Sequence, residues 1–122
     1  MRINISYQNP TANTIQDDFT EVNSSGTVAI PPSTNNAFYL VTKAGVQAMT
    51  LAAPVSVVDD GKRITVSSNT ANAHTLTATG LLNTGSASVN LATFAAFAGA
   101  GVVLEAVRGK WNVISATGIT FT

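Results

Sequence analysis

Short runs in which apolar residues recur at every second position constrain this chain most, because that is the period at which a strand turns its side chains to opposite faces. In RINISY, Ile3, Ile5 and Tyr7 share one face; in RITVS it is Ile64 and Val66, and in HTLTAT it is Leu76 and Ala78. More continuously apolar runs lie around Leu40, Met49, Val103 and Val113, and read as strands covered on both faces or central to a sandwich. Turn signals separate them: Gly45, the Asp59–Asp60–Gly61 triplet, Gly80, and Arg108–Gly109 between GVVLEAV and KWNVISA, the strongest hairpin in the chain. LATFAAFAGAG has helical propensity in its alanines, but Gly99, Gly101 and the lack of a polar face argue for a loop or a single turn. The expected class is all-β: a single β-sandwich, jelly-roll-like. No repeat of fixed period supports a solenoid.

Residues 8–36 differ in character, being rich in Asn, Thr, Ser and Pro, with Pro10, Pro31 and Pro32 unable to donate to a ladder. The division expected is an extended N-terminal arm over 1–36 and a sandwich domain over 37–122. Widely spaced apolar residues, Ile15, Phe19, Val22, Val28 and Ile30, suit the plugging of separate pockets on a neighbour. Ile3, Ile5 and Tyr7 could add as a strand to an exposed edge.

Only 10% of the 122 residues are charged against 45% hydrophobic, and six basic side chains cancel six acidic ones. So little charge leaves a lone monomer without the repulsion that keeps soluble proteins apart, so association with copies or partners is expected. The apolar stretch around Phe94 and Phe97 is the expected oligomer interface, and a homotrimer the expected assembly. The basic residues are scattered, which excludes an electrostatic footprint for nucleic acid. No apolar run is long enough to span a bilayer as a helix, and the first residues lack the continuous apolar segment of a secretory signal. With no cysteine there is no disulfide, thiolate nucleophile or cysteine metal site.

The chemistry-bearing residues point away from catalysis. His74 is the single histidine, so a transition-metal site would need carboxylates from elsewhere, and it reads as a polar residue opening a strand. Asp59 and Asp60 are adjacent and precede Gly61, which fits a turn better than an acid/base pair; they, like Asp17 and Asp18, lack the alternating ligand spacing of a calcium loop. No serine lies in a GxSxG elbow, and FAGAGVV lacks the third glycine of a dinucleotide fingerprint. Neither a catalytic residue nor a cofactor or metal site is expected. Tyr7, Tyr39 and Trp111 could serve as a sugar platform, but Trp111 alternates with Val113 and Ser115 as a packed strand residue does.

From about Ala44 to Thr122 the sequence resembles capsid decoration and head-fibre proteins of tailed bacteriophages. The resemblance rests on a DGK turn at Asp60–Lys62, a histidine–threonine strand at His74–Thr77, GKW at Gly109–Trp111 and a TG pair at Thr117–Gly118. It implies a jelly-roll-like β-sandwich that caps the outer capsid surface as a homo-oligomer, with the major capsid protein as partner, and stabilises the shell by multivalent adhesion. The alternative is a tail-fibre or spike module that binds a host receptor or glycan.

Overall fold

The computed structural model describes residues 18–32, 34–85 and 88–122. They are all-β, with no helix among them, in ten strands: β1 (Asp18–Val22), β2 (Gly26–Val28), β3 (Asn36–Val41), β4 (Ala48–Leu51), β5 (Arg63–Ser68), β6 (Thr75–Asn83), β7 (Ser88–Phe94), β8 (Gly101–Val107), β9 (Lys110–Thr117) and β10 (Ile119–Phe121). The strands alternate between two ladders. In one, β1, β3 and β5 pair in parallel, and β8 and then β9 add antiparallel. In the other, β2, β4 and β6 pair in parallel, and β7 and then β10 add antiparallel. Each successive strand pair is thus one rung of a coil. The chain winds through three rungs in one sense, reverses at the β6–β7 connection, and reverses again at the β8–β9 turn to lay down the last rung.

This is a β-solenoid arrangement, not the jelly roll expected. A jelly roll is built of antiparallel Greek keys, whereas β1 to β6 pair only in parallel within their ladders. Alternation shows that a strand has a buried face but not which strand it pairs with. The repeat is hidden because connection lengths vary: Phe19 stands beside Phe38, 19 positions on, and Phe38 beside Thr65, 27 positions on.

Register carries the inward side chains from rung to rung. Ala37, Ile64, Leu104 and Val113 stand in one row, and Tyr39, Val66 and Val102 in the next. Across the core, Met49, Leu76, Ala92 and Phe121 form a row of the second ladder. These rows meet in one apolar cluster, in which Ile64, Leu76 and Leu104 are wholly buried, each contributing about 1.5–3 kcal/mol. The expected inward faces of Ile64/Val66 and Leu76/Ala78 are the observed ones. Gly101 lets β8 approach β5, since a Cβ there would lie 2.9 Å from the Val66 carbonyl oxygen. Outward positions carry polar pairs, among them Arg63 and Glu105, whose Nε and Oε2 are 3.0 Å apart, and Thr27 and Thr50, with hydroxyls 3.3 Å apart.

No boundary falls between residues 36 and 37. β1 pairs along its whole length with β3, β2 pairs with β4, and Val28 is buried in the common core. Residues 18–28 therefore form the first rung of the coil, with a polar composition that reflects few inward positions to fill, while residues 1–17 of the expected arm lie outside the described residues. LATFAAFAGAG splits, with Leu91–Phe94 in β7 and the bends after it leading to β8. The expected hairpin is β8–β9, turning on Arg108 (φ 51) and Gly109 (φ 84), and both positive φ values suit a tight two-residue reversal.

Trp111, the largest wholly buried side chain, opens β9, and its indole Nε1 donates to the Ala52 carbonyl at 2.9 Å. It fixes the β4–β5 connection to the hairpin while filling the core. Trp111→Ala removes both contacts and is expected to lower unfolding free energy by about 3–5 kcal/mol in denaturant titration.

A candidate adhesion surface

Among the described residues, apolar surface is most exposed in the connection between β4 and β5. Val55, Val57 and Val58 are 57%, 70% and 72% exposed, and Val57 has φ 72, a conformation that a β-branched residue adopts only under constraint. The constraint is visible. The Asp59 carboxylate accepts from the Val55 amide at 2.7 Å, and the Asp59 amide donates back to the Val55 carbonyl at 2.8 Å. Lys62 Nζ then pairs with Asp59 Oδ1 at 2.8 Å and donates to the Pro31 carbonyl at 2.6 Å, tying the loop to the β2–β3 connection. The hydrogen bond from Lys62 holds the Asp59 carboxyl below its ordinary pKa, with the Val55 amide acting the same way. Next to it, Asp60 accepts from the Arg108 amide at 2.7 Å, so the DGK turn and the β8–β9 turn are clasped together. The adjacent aspartates thus have separate structural partners and do not form an acid/base pair.

His74 serves an opposite corner, at the start of β6, and is wholly buried. Its Nδ1 accepts from the Gln47 amide at 3.0 Å, which leaves the proton on Nε2, 2.9 Å from the Thr70 hydroxyl. Burial lowers its pKa from the ordinary 6.5, and protonating Nδ1 would place two donors face to face. Both ring nitrogens are engaged in holding the connections that flank β4 and β6. Among the described residues no three His, Asp or Glu side chains gather as a metal-ligand set.

The expected site residues scatter. Ile3, Ile5, Tyr7 and Ile15 lie outside the described residues. Phe19 is 47% exposed and stacks on Phe38, with ring centroids 5.5 Å apart and planes 9° from parallel, on the outer face of the first ladder. Val22 and Ile30 pack against the protein's own core instead of pointing outward. Phe94 is wholly buried, because β7 turns it inward against His74, so it offers no surface to another copy. Phe97 is partly exposed and lies over Gly118, where any Cβ would run into its ring, so the TG pair marks the corner between β9 and β10. Of the candidate sugar platforms, Trp111 and Tyr39 are buried. The Tyr39 hydroxyl donates to the Ala29 carbonyl, and burial, with Asp18 nearby, raises its pKa.

The valine loop is the feature missed in the sequence. In PVSVVDDGK three valines stand beside a turn, but nothing local in the run marks them as exposed. No protein-family model matches the chain, and a comparison with curated proteins finds no match.

Two measurements check this geometry. Because the folded-state pKa of His74 is depressed, its contribution is complete above about pH 6.5 and is lost as pH falls through the folded value. Asp59 keeps its contribution until pH falls below the ordinary carboxylate range. Denaturant midpoints are therefore expected to fall between pH 7.5 and 5 in the wild type and to stay nearly level in His74→Gln. Val57→Gly relieves the positive φ, and after the added freedom of glycine in the unfolded chain is counted, unfolding free energy should rise by about 1 kcal/mol.

Proposed function

We propose that the chain is a structural protein of a tailed-phage virion, a decoration module that adheres to the outer capsid surface through the major capsid protein and works as a self-associated assembly. The observation that carries this reading is the valine loop: exposed apolar side chains on a strained backbone, clamped by Asp59 and Lys62. A loop held in one conformation before contact loses little entropy on docking, so each exposed valine can contribute its burial to adhesion. Scarce charge agrees with attachment by apolar burial and not by electrostatic steering. Self-association makes later contacts intramolecular, so weak individual contacts add to firm attachment. The resemblance of residues 44–122 to decoration and head-fibre proteins supplies the location.

A receptor- or glycan-binding module remains the second reading, and the exposed Phe19–Phe38 stack is the observation that favours it. Mixing the protein with matching undecorated capsids separates the two. Decoration predicts stoichiometric density on the shell that is lost in a folded Val55→Asp/Val58→Asp variant. Absence of shell density, with glycan binding that is lost in Phe19→Ala, would overturn decoration in favour of the second reading.

A further inference from the structure

The two ends of the coil are unlike. At one end β1, the outermost strand among the described residues, carries Asp18 and Glu21. The other end is made by β9 and β10, and Trp111 to Thr122 contains no charged residue, nor does the whole span from Ile64 to Leu104 apart from His74. The hairpin formed by the end of β6 and the start of β7 covers only the beginning of β9, pairing Leu82 and Asn83 with Trp111 and Asn112. Among the described residues, β9 beyond Asn112 pairs with β8 alone, and β10 pairs with β7 alone.

Among the described residues this end therefore presents two open strand edges and the last members of the core rows. Val113 continues the Leu104 row, Ala116 the Val102 row, and Phe121 the Ala92 row. Val113, Ile119 and Phe121 are only half-buried, Ala116 is exposed, and Ile114, at the bulge between Val113 and Ser115, is 45% exposed. Stacked-rung proteins close such ends with a polar cap, and open edges are ordinarily blunted by charge or proline. Residues 111–122 contain neither.

We propose that this end is the self-association surface and that its occupant is the same end of a second copy, giving a two-fold, end-to-end dimer. The inference rests on the self-association in the proposed function and replaces the expected threefold with a twofold. Unpaired backbone donors and acceptors are met best by another strand, and a strand meets its own copy across a two-fold axis in antiparallel fashion. An axis crossing both ladders brings β9 to its copy and β10 to its copy together, so both edges close and the inward rows stay inward. With no charge on either face, nothing opposes the approach. A head-to-tail stack would instead place Asp18 and Glu21 of one copy against the apolar end of the next, at the cost of desolvating two carboxylates.

Light scattering on the full chain at about 100 µM tests this. The wild type should weigh twice the chain mass of 12.5 kDa. Ile114→Lys and, separately, Ala116→Lys should weigh half as much with unchanged circular dichroism, since both side chains are exposed in the protomer. Thr50→Lys, on the outer face of the second ladder, should stay dimeric. A dimeric or larger wild type whose mass neither β9 variant changes would overturn the surface while leaving self-association standing. A trimeric wild type would overturn the two-fold arrangement, and a monomeric one both the surface and the self-association within the proposed function.

Discussion

Rung-to-rung register is the constraint on which everything else in this protein depends. A one-residue slip of any strand would exchange its inward and outward faces, and here each inward position is one member of a row that runs through several strands. Ile64 lies between Ala37 and Leu104, so displacing β5 by one residue would expose Ile64 and Val66 and turn Arg63 or Thr65 inward in their place. Because alignment is demanded only of the strands, the connections are free to vary in length and conformation. That freedom places the functional candidates at the corners of the coil.

The corners hold the register. Asp59 and Lys62 shape one connection and tie it to Pro31, Asp60 joins it to the β8–β9 turn, and Trp111 fastens its beginning through Ala52. On an opposite corner His74 links the connections before β4 and β6 through Gln47 and Thr70. These groups are polar and largely withdrawn from water, where an unmet partner is costly. They explain why DGK, the histidine–threonine strand and GKW fall where they do: each motif closes a corner. None of these motifs bears the exposed apolar surface; the valines they position do.

The sequence makes the strands legible but not their pairing. Alternation in RITVS and HTLTAT locates Ile64, Val66, Leu76 and Ala78 in the core, and Arg108–Gly109 marks the hairpin, because both signals are local. Parallel pairing is not local: β3 and β5 are joined by a whole turn of the coil, and unequal separations of 19 and 27 positions erase any visible repeat. The first rung was obscured by its composition, since of β2 only Val28 is wholly inward. Phe94 is buried, against the interface its sequence suggests, for a related reason. Its alanine neighbours suggest a surface stretch, yet the last residue of β7 faces inward to close the core beside His74. Exposure of Val55, Val57 and Val58 had no local signature, because an exposed valine and a buried one read alike.

Parallel and reversed rungs share one core, so the coil is expected to open as one cooperative unit from which the loops and the open end project. Native-state hydrogen exchange tests it most directly. Amides in β3, β5, β6 and β8 should exchange through a single opening with one free energy and one denaturant dependence. Exchange of β1 through β4 at a distinctly lower free energy than β5 through β9 would contradict it, showing that the first rungs are a separable segment laid on a smaller domain.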